Sequence, residues 1–338
     1  MPDGKRWTDV VVESSAPTRI DLAGGTIDIW PIYLFHEGAQ TLHFAISLRA
    51  HVSLAPRSDG RLVLHSVDTG RHLDVGHWSE LDSYPESGLL GRLLHFFRAD
   101  NLTLTTRAES PAGAGIAGSS ALNIAVCAAL ARYTGVQLEP RGLLEIAQNL
   151  EAQAIGVPTG LQDYRPAFYG GIAALELRPD GPRRVPLDID PQEIQQRIVL
   201  AYTGEPRHSG TNNWEILKRH IDGDRHVYDC FERIRDTTAA MRDALSRSAW
   251  DEVRRCIAAE WENRKRLAPG VSTPAIETLI ARARSAGALA AKVCGAGGGG
   301  CVFFYADPPA VPDVCRALSE GGARVLDYTI ETVGLRCG

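Results

Sequence analysis

The chain has 338 residues, 44 % hydrophobic and 23 % charged, the balance of a globular protein that buries a sizeable core, and its length suggests two domains. A net charge of −5 leaves no basic field for nucleic acid or an anionic membrane. No apolar run approaches the ~18 residues that span a bilayer, the first six residues lack the apolar stretch of a signal peptide, and seven cysteines without CxxC spacing argue against a disulfide framework or a zinc site. The expectation is a cytoplasmic protein with reduced thiols.

Short β-branched runs predict strands at 9–13, 18–23, 42–47, 52–55 and 62–65. Leu89, Leu90, Leu93, Leu94 and Phe97 recur every three to four residues and predict a helix over 88–98. A strand at 102–108 leads to long helices over 119–133 and 140–155, then a strand at 172–177. A stretch rich in Pro, Gly and Arg at 179–186 marks a boundary, giving domains 1–185 and 186–338. The second half reads as a strand at 198–202, helices at 212–219, 227–246, 250–266 and 274–286, and strands at 290–294 and 301–305 around a glycine run. A helix at 312–318 and a strand region at 325–333 close the chain. This order fits an α+β sandwich.

The segment 111–120, Pro-Ala-Gly-Ala-Gly-Ile-Ala-Gly-Ser-Ser, lies between a strand and a long apolar helix. Its glycines allow positive φ and close approach to a ligand, and the helix N-terminus attracts phosphate. Ser119 and Ser120 can cap the helix, bond a phosphate or reach a magnesium ion. Gly113, Gly115 and Gly118 also spell the GxGxxG of dinucleotide sites, and Glu139 follows at about the ribose-binding distance. Residues 109–112 separate the strand from the first glycine, whereas a dinucleotide fold turns at once. A Walker-type loop is excluded, because Gly118-Ser119-Ser120 supplies no lysine.

Three segments in order resemble the GHMP kinase superfamily. The first is 16–28, Ala-Pro-Thr-Arg-Ile-Asp-Leu-Ala-Gly-Gly-Thr-Ile-Asp; the second is the loop above; the third is 292–301, Lys-Val-Cys-Gly-Ala-Gly-Gly-Gly-Gly-Cys. Gly160-Leu161-Gln162-Asp163-Tyr164, Tyr169-Gly170-Gly171 and Tyr202-Thr203-Gly204 are similar to heptose-7-phosphate kinases and related sugar 1-kinases. Gly25 and Thr26 stand where a galactokinase has Glu and His, which disfavours galactose. The resemblance implies a two-domain GHMP kinase fold of α+β class. The N-terminal domain would be ribosomal-S5-like and bind ATP, the C-terminal one ferredoxin-like, with the active site in the cleft between them. It implies a phosphotransferase with an alcohol acceptor that uses ATP and Mg²⁺, with Gly113, Gly115, Ile116, Ala117, Gly118, Ser119 and Ser120 at the ATP phosphates.

Leu144, Ala147, Glu151 and Ala154 share one face of a helix, so Glu151 is a carboxylate on an apolar stripe, paired, metal-bound or at the stripe's edge. By the resemblance, Glu151 and Ser119 match the metal ligands, and Asp163, twelve residues on, matches the catalytic aspartate. Asp163 could instead cap the helix starting near Tyr164. Arg19 matches the cation of the opening strand, which would hold Asp163 and stabilise charge on the transferring phosphoryl group. Thr26, Asp28, Gly297 and Gly298 are the candidates for substrate contact, with a turn as the alternative for Asp28 and for the glycine run. Arg207, ahead of a Ser/Gly/Thr/Asn cluster and followed by Lys218 and Arg219, would meet an anion at a helix N-terminus, with Arg165, just after Asp163, as a second candidate and solvated helix-end charges as the alternative for Arg207 and Arg219. The acceptor expected is therefore an anionic sugar such as a heptose 7-phosphate, taking phosphate at its anomeric hydroxyl. A uronic acid such as glucuronate is the alternative, and a non-catalytic sugar sensor a third reading. No nucleic-acid or membrane partner is expected, and the chain is expected to be a monomer or homodimer.

Overall fold

The computed structural model describes residues 10–206 and 209–338, the side chains of 209–211 aside. Chain order runs β1 (Val12–Ala23), β2 (Gln40–Pro56), β3 (Leu62–Ser66), β4 (Arg71–Val75), α1 (Gly88–Phe97), β5 (Leu102–Ala108), α2 (Gly118–Thr134), α3 (Pro140–Ile155) and α4 (Tyr164–Tyr169). There follow β6 (Ile172–Glu176), β7 (Arg183–Pro186), α5 (Pro191–Gln195), β8 (Ile198–Tyr202), α6 (Ser209–Ile221), α7 (Arg225–Ser246), α8 (Trp250–Lys265) and α9 (Pro274–Ser285). The chain ends with β9 (Ala288–Val293), β10 (Cys301–Ala306), α10 (Val311–Glu320), β11 (Arg324–Leu326) and β12 (Arg336–Cys337). None of the described helices is long and apolar enough to cross a membrane.

An eight-stranded sheet carries the path β12-β1-β2-β5-β3-β4, with β6 and β7 continuing from β2. A four-stranded antiparallel sheet has the order β11-β8-β10-β9. The class is α+β, as expected. We propose the lobes as 1–185 and 186–338, because the first sheet draws its strands from before residue 187 and the second from after residue 197; only β12 crosses back, pairing with β1.

The predicted strands at 18–23 and, from the described part, 9–13 are one strand, β1, and those at 42–47 and 52–55 are one strand, β2. A register shift between Pro17 and Thr18 carries β1 past a proline that cannot donate to the ladder, and a second lies between Asp21 and Ala23. Edge strands β4 and β7 were not expected: Arg71, His72, Asp74, Arg183 and Arg184 give them polar surfaces, which is how sheet edges avoid further pairing. The strand region expected over 325–333 shrinks to β11 and an isolated bridge from Ile330 to Ile46.

Helix α2 is apolar nearly all round because it is covered on all sides: it packs on β1 and β2 and against α1 and α3. The other side of β1 meets α7 and α8. Residues Thr18 to Ala23 are therefore buried on both faces. Ile20 and Leu22 join Phe44, Leu200, Met241 and Phe303 in the apolar cluster between the two lobes. Arg19 and Asp21, alternating with them, carry charge on the opposite face of the same strand.

Candidate active site

The loop from β5 to α2 turns on Gly113 (φ 67°) and Gly115 (φ 78°), and Ala117 itself adopts the left-handed conformation (φ 62°) before the helix begins at Gly118. The free N–H groups of α2 then face a cleft of about 300 Å³. Arg19, Thr26, Asp28, Ser119, Glu151 and Asp163 all line that cleft. The glycine run of the second lobe closes on the loop from the other side. The Cys301 N–H donates to the Ala114 carbonyl (2.7 Å), and a Cβ on Gly300 would stand 2.6 Å from the same oxygen.

Glu151, on the buried stripe of α3, meets the start of α2. Ser119 Oγ donates to its Oε1 (2.7 Å) and Ser120 Oγ to its Oε2 (3.0 Å). Burial raises the Glu151 pKa, and these hydroxyls offset only part of that. No described cationic side chain forms an ion pair with it, so it is not an edge residue in a surface pair. A hydroxyl and a buried carboxylate beside a helix N-terminus are hard oxygen donors, and the pair fits Mg²⁺, which takes one or two protein oxygens and completes its shell with other oxygen ligands. No three described His, Cys, Asp or Glu side chains form a preformed metal cage.

Across the cleft Arg19 grips Asp163: Nε and Nη2 both donate to Oδ1, at 3.1 and 2.6 Å. Arg19 Nη1 donates to the Gly115 carbonyl (2.9 Å), and its backbone N–H to the Ile116 carbonyl (3.0 Å), fixing the glycine loop to β1. Burial alone would lower the Arg19 pKa; the Asp163 and Asp21 charges outweigh it and raise the pKa, so the guanidinium stays charged. Asp163 occupies the position before α4, yet its side chain makes no capping bond. It is 28 % exposed, open to the cleft, while Arg19 is 1 % exposed. Asp28 is buried and takes the Gln162 N–H at Oδ2 (2.8 Å). Burial, with the Asp163 charge beside it, pushes the Asp28 pKa up to about 6.

Some expected contacts lie elsewhere. Ile116 is buried in the apolar cluster between the lobes and does not line the cleft. Gly297 and Gly298 turn against Val271 and Gly270, whereas Gly295 and Ala296 line the cleft. Arg165 is buried, donates back to the Leu161 carbonyl, and does not line the cleft. Arg219 is held by Asp224 and the Leu267 carbonyl, and Lys218 by Asp222, so neither is free for a ligand. Arg207 lies outside the described residues.

Other groups went unnoticed in the sequence. Lys292 donates to Asp21 Oδ2 (2.6 Å) and the Gly295 N–H to Asp21 Oδ1 (3.0 Å), joining β1 to the glycine run. Arg264 lines the cleft from α8. Its signal was legible: Ile257, Glu260, Trp261 and Arg264 share the buried face of α8, so two charges stand on an apolar stripe, as Glu151 does.

Fold and cleft together define a two-lobed, small-molecule phosphotransferase. Residues 88–171 match the GHMP kinases N terminal domain and residues 241–324 the GHMP kinases C terminal family. The chain is 27 % identical to the D-glycero-alpha-D-manno-heptose 7-phosphate kinase of Campylobacter jejuni, over 96 % of this chain and 98 % of that one. It is 30 % identical to the mevalonate kinase of Methanothermobacter thermautotrophicus, over 82 % and 86 %. A crystal structure of a D-glycero-D-manno-heptose 1-phosphate kinase from Bacteroides thetaiotaomicron superposes with a TM-score of 0.76 at 24 % identity, covering 97 % of this chain and 98 % of that one. The chain belongs to the GHMP kinase family, ATP-using phosphotransferases with an alcohol group as acceptor.

Proposed function

We propose that the protein is an ATP- and Mg²⁺-dependent sugar kinase whose acceptor is an anionic sugar of the heptose 7-phosphate type, phosphorylated at its anomeric hydroxyl. The observation that carries the reading is the Arg19–Asp163 contact at 2.6 Å, facing the Ser119–Glu151 pair across one cleft. Phosphoryl transfer needs little covalent help from a protein; it needs in-line positioning and neutralisation of charge on the phosphoryl oxygens. Gly113, Gly115, Ala117, Gly118 and Ser120 hold the phosphates with backbone N–H groups, and the Ile116 carbonyl anchors their loop to β1. Ser119 and Glu151 are the ligands for Mg²⁺, which when bound neutralises phosphate charge. Asp163 orients the attacking hydroxyl and takes its proton as the new phosphorus–oxygen bond forms and the bond to ADP breaks. Arg19 holds Asp163 and stabilises the transferring group. Thr26 and Asp28 contact the sugar, and Gly295 and Ala296 line the cleft where Gly297 and Gly298 were expected.

The full-length likeness to a heptose 7-phosphate kinase supports the choice of acceptor. Arg207 is the proposed partner of the charged substituent. A coupled ADP-release assay tests both levels of the reading, comparing D-glycero-D-manno-heptose with its 7-phosphate, and D-glucose with glucuronate. The expected result is a kcat/KM at least 10-fold higher for the heptose 7-phosphate than for the neutral heptose, lost with EDTA and restored by Mg²⁺. Equal values for the charged and neutral heptoses overturn the anionic acceptor. Absence of turnover with every sugar overturns the sugar kinase.

A further inference from the structure

Three polar atoms on the cleft wall are buried and lack any hydrogen-bond partner: Gln162 Oε1, Asn213 Oδ1 and Arg264 Nη1. A buried polar atom without a hydrogen bond keeps its full desolvation cost, so three in one cleft call for a ligand that completes them. Gln162 and Arg264 are 3 % and 2 % exposed, respectively. From these atoms we infer a hydroxyl-reading subsite in the acceptor half of the cleft, formed by Gln162, Asn213 and Arg264. The inference rests on the proposed reading of the cleft as a sugar kinase site.

Each group is held by its neighbours. Gln162 precedes Asp163 in the chain, and its backbone N–H is bonded to Asp28, so the side chain starts beside both carboxylates. Asn213 is fixed through Asn212, whose Nδ2 donates to the Gly270 carbonyl (3.0 Å) and the Ala296 carbonyl (3.3 Å). Arg264 Nη2 donates to the Gly295 carbonyl (2.7 Å). Its Nη1 lies 3.5 Å from Glu260 Oε1, an ion pair that leaves the N–H without a hydrogen bond. Gly25 makes room for the Gln162 and Arg264 side chains. A Cβ there would stand 2.7 Å from Arg264 Nη1 and 2.9 Å from Gln162 Nε2.

The chemistry of the atoms selects the ligand. The oxygens of Gln162 and Asn213 only accept, so they need O–H donors; a carboxylate or an ionised phosphate has none to give. Arg264 Nη1 only donates. One hydroxyl can accept from Arg264 and donate to one amide, and a second hydroxyl can donate to the other. The subsite thus fits two hydroxyls of a neutral polyol face. The charged substituent of the acceptor lies away from it.

The test uses wild-type protein with heptose 7-phosphate and its 2-, 3- and 4-monodeoxy analogues, followed by Asn213→Leu and Gln162→Met. Sites built to hydrogen-bond a hydroxyl reject analogues that lack it by large factors. At least one deoxy analogue is expected to lose 10-fold or more in kcat/KM on wild type. The same analogue should lose less than 3-fold further on the variant that removes its partner, while parent-sugar KM rises at least 10-fold on both variants. Affinity for an ATP analogue, read by titration, should stay within 2-fold. Equal kcat/KM for the parent and every deoxy analogue on wild type overturns the subsite while leaving the sugar kinase standing, and needs no variant to fold. Deoxy losses that persist undiminished on both variants assign the reading to other residues and also overturn it. If wild type turns over no sugar at all, the sugar-kinase reading falls and takes the subsite with it.

Discussion

Lys292 and Asp21 form an ion pair of 2.6 Å in which neither side chain is exposed, and the same aspartate faces Arg19 at 3.8 Å. Burial alone would raise the Asp21 pKa; Lys292, Arg19 and Arg264 outweigh it and hold the carboxylate ionised well below the usual range. The pair therefore bolts the second lobe to the strand that carries Arg19.

Removing one member of such a pair leaves an uncompensated buried charge. Lys292→Met is expected to lower stability by about 3–5 kcal/mol. Adding Asp21→Asn to it should cost less than the two single losses combined. Urea denaturation of the four species measures this. An additive cycle would mean the two charges do not depend on each other.

Asp163→Asn keeps the shape of the side chain and removes the charge that meets Arg19 and the cleft. A kcat loss on the order of 10²-fold or more is expected, the scale of a missing general base, with affinity for an ATP analogue little changed. An unaltered kcat removes Asp163 from the chemistry.

Glu151 is a carboxylate whose pKa burial raises, so neutralising it relieves the metal-free protein. Glu151→Gln should raise Tm in EDTA. It should also lose most of the stabilisation that Mg²⁺ and ATP give wild type, which is about 2.7 kcal/mol at a hundredfold excess over Kd. A full Mg²⁺-dependent shift in the variant would place the metal elsewhere.

Asp28 has a pKa raised from 3.8 to about 6 by burial and by Asp163. The native state therefore holds a proton at a pH where the unfolded chain has released it. Its ionisation costs stability at pH values above about 6, and that cost fades as pH falls and is absent below about 4. Asp28→Asn should stabilise the protein at pH 8 by up to roughly 3 kcal/mol and have little effect at pH 4. Denaturation at the two pH values decides it, and a pH-independent difference would show that Asp28 does not titrate in this way.

Gly300 has φ 80°, and a side chain there would meet the Ala114 and Gly113 carbonyls at 2.6 and 2.9 Å. Gly300→Ala should cost about 1–2 kcal/mol in backbone strain alone. By displacing the 113–118 loop, the proposed phosphate site, it should also raise KM for ATP at least 10-fold. A stable variant with an unchanged KM would mean the two loops are not coupled.

Much of the candidate site was legible in the sequence because its parts are local. The glycines of 113–118 announce a backbone at positive φ, Ser119 and Ser120 announce a helix start, and Glu151 stands out as a charge on the apolar stripe of α3. Strand and helix order was legible for the same reason: periodicity is a property of neighbours in the chain. The edge strands β4 and β7 were not, since their polar, exposed residues carry no apolar alternation and form only because a partner strand is present.

The residues themselves thus determined the glycine-rich turn into α2, the carboxylate on its apolar stripe and the class of fold. Only the tertiary structure decided which charges meet. Arg19 and Asp163 are 144 positions apart, and Lys292 and Asp21 are 271. Their pairing depends on two lobes closing around β1, and it removed Gly297, Gly298 and Arg165 from the cleft while bringing in Gln162, Asn213 and Arg264. A side chain's partners are set by long-range packing and by the cost of burying a charge alone, and neither is written in the spacing of nearby residues.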